Sequence, residues 1–262
     1  VTPTPPLPLE SRLATAAVAE HGEGPTWDAR AGEIRWVDMP RGLVRRLALA
    51  DARADAVPEA VRVADFVAVI RPRVVGGWIA CTRDAILLTD DAFAIERRIP
   101  VPMGPEERWN DGTAAPDGTF YVGTMALDGR GRLLRLHPDG RLDTVLTGLR
   151  ISNGIAPTPD GARMLHVDSM EHRIDVYDLD ADGMHDRRTF VDLADVDGEP
   201  DGIAVDAGGG VWVAMWGGRC VRGFDADGAP VAVIDVPTIQ PSACAFVGED
   251  LATLAITSSA QG

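Results

Sequence analysis

One strand–turn–strand pattern returns six times along the 262 residues, and no other feature of the sequence restricts the fold as much. Four copies are clear. Residues 22–27 lead through Gly32 to 34–39, and residues 109–112 lead through Pro116-Asp117-Gly118 to 120–125. Residues 151–161 form a short apolar run closed by Pro159-Asp160-Gly161, with a second strand at 163–168. Residues 200–205 pass through Gly208-Gly209-Gly210 to 211–216. Two weaker copies are 67–70 with 78–82, across a Gly76-Gly77 turn, and 242–246 with 254–258. The residue at the mouth of each first strand is Glu23, Ala68, Asn110, Asn153, Asp201 or Ala243, and successive anchors lie 42 to 48 residues apart.

Later strand signals in the same units, such as 133–137, Pro138-Asp139-Gly140 and 142–146, bring each unit to about four strands. A period in the low forties with four strands per unit marks a propeller blade. The spacing therefore predicts an all-β fold: a six-bladed β-propeller with four-stranded blades around a central channel, one domain spanning 1–262. The proline-rich stretch 1–9 reads as an extended tail or edge segment. The sixth unit stops soon after its second strand, so the last blade is expected to be one or two strands short. Residues 13–18 are expected to supply an outer strand there, because open sheet edges invite aggregation.

Composition narrows the function classes. A net charge of −15 opposes a nucleic-acid partner, which needs clustered Lys and Arg. No apolar run approaches the roughly 20 residues that cross a bilayer, and residues 1–9 lack the layout of a secretory signal. Cys81, Cys220 and Cys244 are widely spaced and form no CxxC, which reads as buried small hydrophobes in a reducing compartment. Together these point to a cytoplasmic protein with no membrane or nucleic-acid partner.

In a propeller the first strand of each blade lines the channel, so the six anchors surround one axis. Four of them bear oxygen, as two carboxylates and two carboxamides. Converging oxygens of this kind suit a hard divalent cation such as Ca²⁺ or Mg²⁺, with water completing the shell. Asn-Gly and Asp-Gly are also common turn dipeptides. Each of these is followed by a strand, however, and four fall at equivalent positions, which a turn reading does not explain.

The motifs Glu23-Gly24-Pro25 with Trp27, Asn110-Asp111-Gly112 with Gly123-Thr124-Met125, Ile151-Ser152-Asn153-Gly154 with Asp168-Ser169, and Pro200-Asp201-Gly202 with Trp212-Val213-Ala214 resemble the senescence marker protein (regucalcin)/gluconolactonase/luciferin-regenerating-enzyme family. The resemblance runs in order from about residue 19 to 259. It implies a six-bladed propeller with one divalent metal in its channel, and in many members a sugar lactonase. Carried over by position, Glu23, Asn153 and Asp201 match the metal ligands. Arg108 and Asn110 match substrate-binding residues. Asp128 stands nearest to an acidic substrate contact that is a glutamate in the best-studied pattern. The implied cofactor is one divalent ion, Ca²⁺ first, with Zn²⁺, Mg²⁺ or Mn²⁺ as alternatives, and the implied partner is a small sugar lactone.

The expected chemistry is hydrolysis, with Asp201 as both ligand and base. Trp109, beside Asn110, is the aromatic expected to touch ligand; Trp216 and His21 are weaker candidates near strand ends. Two rivals stand beside this: a metal-dependent phosphotriesterase-like hydrolase, and a non-catalytic calcium-binding or protein-interaction propeller. The second would plug its channel with apolar anchors.

Overall fold

The computed structural model describes residues 5–260. It is an all-β β-propeller, with sheets arranged in chain order around an axis. Blade 1 comprises Gly22–Asp28, Glu33–Asp38, Leu43–Ala48 and Glu59–Arg62, and blade 2 Val67–Pro72, Trp78–Thr82, Ala85–Thr89 and Ile95–Pro100. Blade 3 comprises Arg108–Ala114, Phe120–Met125, Gly131–Leu136 and Leu142–Leu149, and blade 4 Ser152–Pro157, Arg163–Asp168, Arg173–Asp180 and Gly183–Asp192. Blade 5 comprises Glu199–Val205, Val211–Trp216, Cys220–Phe224 and Pro230–Asp235. A sixth sheet has two described strands, Gln240–Val247 and Thr253–Ser259. Within each sheet, strands that follow one another in the chain pair antiparallel.

The turns follow from local chemistry. In Pro116-Asp117-Gly118, Pro138-Asp139-Gly140 and Pro159-Asp160-Gly161 each glycine takes a positive φ of 69° to 91°. Each aspartate accepts a backbone N–H two residues on, from Thr119, Arg141 and Ala162. Such Asx turns, with proline ahead and glycine behind, reverse the chain without strain.

Burial grades outward from the axis. Strand Val67–Pro72 has its first four residues buried, whereas the outermost strand Glu59–Arg62 is exposed throughout. The core lies between blades: Ile70, Trp78, Ile86 and Val122 join blades 2 and 3, and Leu165, Ile174, Val213 and Met215 join blades 4 and 5. Each such side chain contributes about 1.5–3 kcal/mol on burial, so blade-on-blade packing holds the ring together.

The innermost strands touch their neighbours all the way round, including Gly22–Asp28 against Gln240–Val247. The join between the first and last sheets is specific. Ser242 Oγ donates to the carbonyl of Gly22 at 2.6 Å, and His21 bridges to Ser259.

The N-terminal segment departs from expectation. Within the stretch read as a tail, Leu7–Glu10 forms a strand that pairs parallel with Pro230–Asp235, giving blade 5 a fifth strand; residues 1–4 lie outside the described residues. Residues 13–18 form no strand on the sixth sheet. They run past the first blade instead, where Ala16 donates to the carbonyl of Ala56 and Arg53 to that of Ala14. Backbone groups of the loop after Leu43–Ala48, the Arg53 N–H as donor and the Ala56 carbonyl as acceptor, hold this segment away from the expected edge.

Candidate active site

All six anchors lie on innermost strands, and every one of those strands is irregular at the anchor. Pairing with the second strand shifts register between Glu23 and Thr26, Val67 and Val69, Trp109 and Gly112, Ser152 and Ile155, Pro200 and Ile203, and Pro241 and Ala243. A bulge of this kind re-aims side chains and breaks the two-residue alternation of a strand. Bulging also crowds the backbone. A Cβ on Gly154 would sit 2.5 Å from the Asp201 carbonyl oxygen, and one on Gly202 would sit 2.4 Å from the Ala243 Cβ. Neither glycine has a positive φ. These glycines give clearance between adjacent inner strands.

Carboxylates on the second strands fix how the chain enters the ring. Asp38 accepts the backbone N–H groups of Glu20 and His21, and Asp168 accepts those of Arg150 and Ile151 at 3.0 Å each. Glu23 and Asn153 thus start from pinned backbone.

The four polar anchors are buried: Glu23, Asn110, Asn153 and Asp201 expose 8% or less. Their hydrogen bonds divide them. Asn153 donates through Nδ2 to Ser169 Oγ at 3.0 Å, so its carbonyl oxygen is the end turned away from that bond. Asn110 donates through Nδ2 to the Ser152 carbonyl at 3.1 Å, and its Oδ1 accepts from Arg108 at 2.8 Å. Asn110 therefore tethers Arg108, whereas Asn153 keeps an oxygen to offer. The Ser152 hydroxyl meets His166 Nε2 at 2.8 Å, which braces this backbone from below.

Electrostatics mark the same groups. Burial, then Asp111, pushes the Glu23 carboxyl up to about 8. Burial, then Glu23 and Asp111, holds Asp201 well above the usual carboxylate range. The Asp201 Oδ1 is buried without a hydrogen-bond partner among the described residues. Buried carboxylates crowded together are costly unless something positive joins them. An orphaned, buried carboxylate oxygen beside Glu23 and Asn153 is the donor set of a hard cation, and these residues fit one.

Some sequence-based candidates fall elsewhere. Asp128 lies on the exposed turn after Phe120–Met125, with its carboxylate held by Arg130 Nε at 2.6 Å; it meets none of the other site residues named here. Trp109 is fully buried in the core between blades and does not face the channel, because neighbours along a strand point opposite ways. Trp216 meets the site through His21. Its ring lies 5.4 Å from that of His21, whose Nε2 is 3.9 Å from Glu23 Oε1. Asp111 was not singled out from the sequence, yet it is buried in the channel wall and acts on both Glu23 and Asp201. A separate cluster, Asp178, His185 and Asp186, is largely exposed on the outer strands of blade 4, where Arg188 already donates to Asp178.

The SMP-30/Gluconolactonase/LRE-like region model matches residues 21–260, nearly the whole chain. The chain belongs to this family. It is 33% identical over 241 residues to a pentonolactonase of Haloferax volcanii, covering 91% of this chain and 81% of that protein. It is 35% identical over 245 residues to a 6-deoxy-6-sulfogluconolactonase of Pseudomonas putida, covering 91% and 83%. Among solved structures, it superposes on a calcium-binding protein described as regucalcin from Agrobacterium tumefaciens with a TM-score of 0.86, at 26% identity over 97% of this chain and 87% of that one. The family's sugar lactonases thus resemble it along nearly its full length.

Proposed function

We propose that this chain is a divalent-cation-dependent lactonase acting on a sugar lactone, in a six-bladed propeller whose sixth blade is the two-stranded sheet. The observation that carries this reading is the Asp201 Oδ1, buried without a hydrogen-bond partner among the described residues, beside Glu23 and Asn153. Similarity to lactonases of sugar acids supports the substrate class. Glu23, Asn153 and Asp201 would hold the cation through oxygen alone, a donor set that favours Ca²⁺ and also accepts Mg²⁺, Mn²⁺ or Zn²⁺. When bound, such a cation supplies Lewis-acid polarisation of the lactone carbonyl.

The chain's own residues do the rest. Asp201, a carboxylate buried at the site, takes the proton from the attacking water. Arg108 presents a guanidinium that Asn110 holds by one hydrogen bond, so substrate oxygens meet a fixed donor and the lactone stays in an attack-ready pose. His21 and Trp216 narrow the mouth above Glu23.

The test is acid release from a panel of pentono- and hexonolactones, with and without a chelator, alongside Asn153→Ala. Hydrolysis that disappears with chelator, returns with added Ca²⁺, and is impaired in Asn153→Ala supports the reading. Equal hydrolysis with and without chelator, or none on any lactone, refutes it.

A further inference from the structure

We propose that Asp111 is a positioning anion that sets how tightly the channel holds a divalent cation, with Arg71 as its opposing partner. The inference rests on the channel being a cation site, and it adds to that site a charge-setting pair outside the three ligands.

The first observation is positional. Asp111 follows the anchor Asn110 inside the bulge of blade 3. The matching position holds glycine in blades 1, 4 and 5, as Gly24, Gly154 and Gly202. There a side chain would strike a neighbouring strand in two of the three cases, Gly154 and Gly202. Among the blades with polar anchors, only blade 3 places a charge there.

The second observation is how that charge is held. Asp111 is 7% exposed; its Oδ1 accepts the Gly112 N–H at 2.7 Å and lies 3.4 Å from Arg71. Arg71 comes from the innermost strand of blade 2, whose own anchor is Ala68. Its guanidinium is fastened to the Ile70 carbonyl at 2.7 Å and to Thr26 Oγ1 at 3.2 Å. Blade 2 therefore contributes a cation to the channel wall in place of a polar anchor.

The third observation points to a ligand. Asp201, 5% exposed, leaves its Oδ1 without a hydrogen-bond partner among the described residues. Asp111 Oδ1 is not offered as a co-ligand, since the Gly112 N–H and Arg71 already engage it. It acts through space. Arg71, its partner, reaches the strand of Glu23, where it donates to Thr26 Oγ1 at 3.2 Å and lies against Gly24, so the pair stands beside the ligand set. Anions that destabilise each other stabilise a dication set between them, and in a buried channel this coupling is weakly screened.

A merely structural ion pair would behave differently, because removing either partner of such a pair harms the site. Charge-setting gives opposite signs. Ca²⁺ titration calorimetry on the full chain is expected to show Asp111→Asn binding at least about tenfold more weakly than wild type. Arg71→Gln is expected to bind about threefold or more tightly, and the double variant to return towards wild type. Asp111→Asn is nearly isosteric, and melting of the cation-free proteins reports folding; if it does not fold, the sign of Arg71→Gln decides alone. Unchanged or weakened binding in Arg71→Gln, or unchanged binding in a folded Asp111→Asn, overturns the inference while leaving the cation site intact. No Ca²⁺ binding by wild type overturns both.

Discussion

Two halves of the inner ring share one backbone device and use it differently. Blades 1, 3, 4 and 5 carry Glu23, Asn110, Asn153 and Asp201 at the bulge, while blade 2 and the sixth sheet carry Ala68 and Ala243 at the same position. All six anchors are buried, so exposure does not separate the halves. The bulge recurs whether or not a functional side chain sits on it, and is therefore a property of the fold. The oxygen-bearing side chains are what the fold carries. The alanine side is also not empty of chemistry: Ala243 packs against Gly202, and blade 2 supplies Arg71 from three residues beyond Ala68.

The comparison breaks most visibly at Asp201. Asp201→Asn keeps an oxygen for a cation but removes the base, so turnover of a sugar lactone is expected to fall by about 10²–10⁴-fold. Cation binding, read by calorimetry, is expected to survive. Ala243→Ser, at the equivalent position on the adjacent sheet, is the control and is expected to leave turnover within about twofold. If Asp201→Asn hydrolyses at the wild-type rate, the polar half has no base at that anchor.

Titration sharpens the comparison next, because only the polar half holds a proton. Burial and the neighbouring Asp111 raise the Glu23 carboxyl from 4.5 to about 8. Between those values the folded, cation-free protein keeps a proton that the unfolded chain releases. Its stability therefore falls as pH rises through that window and levels off above about 8. A cation must displace the same proton, so its affinity is expected to rise by up to about tenfold per pH unit and then flatten above about 8. Calorimetric titrations from about pH 6 to about pH 9 measure this slope. A flat profile across that range removes Glu23 from the ligand set.

Much of this was legible in the sequence because a repeat multiplies a weak signal. One Asn-Gly is ambiguous; six strand mouths at a regular period are not, and they yield the propeller and its ring of anchors together. What the sequence hid lies where backbone geometry overrides a one-dimensional pattern. Strand alternation turns Asp111 away from the side that Asn110 faces, and only the register shift between Trp109 and Gly112 brings both to the channel wall. Trp109 fails for the converse reason: adjacency to Asn110 in the chain means opposition in space, and the indole lies in the core. The partner of Leu7–Glu10 is more than two hundred residues away, and nothing local in those four residues names the edge they join.

The smallest effect concerns Asp128, the position that similarity alone proposed as a substrate contact. It lies near the channel end of blade 3, since Met125 just before it pairs with Arg108. Its carboxylate is nonetheless engaged: Arg130 binds it through Nε at 2.6 Å and the Arg130 backbone N–H donates at 3.2 Å. An exposed pair of this kind is screened by solvent, and a substrate oxygen would have to compete with Arg130 for the carboxylate. Asp128→Ala is therefore expected to change KM for the best lactone by less than about threefold, with kcat unaltered. Arg108→Gln, on the anchored side of the same mouth, is expected to raise KM by more than about tenfold, because it removes a desolvated, charge-assisted donor. If Asp128→Ala matches Arg108→Gln, the turn closes over bound substrate, and the polar half of the ring extends to a loop that its resting hydrogen bonds keep outside.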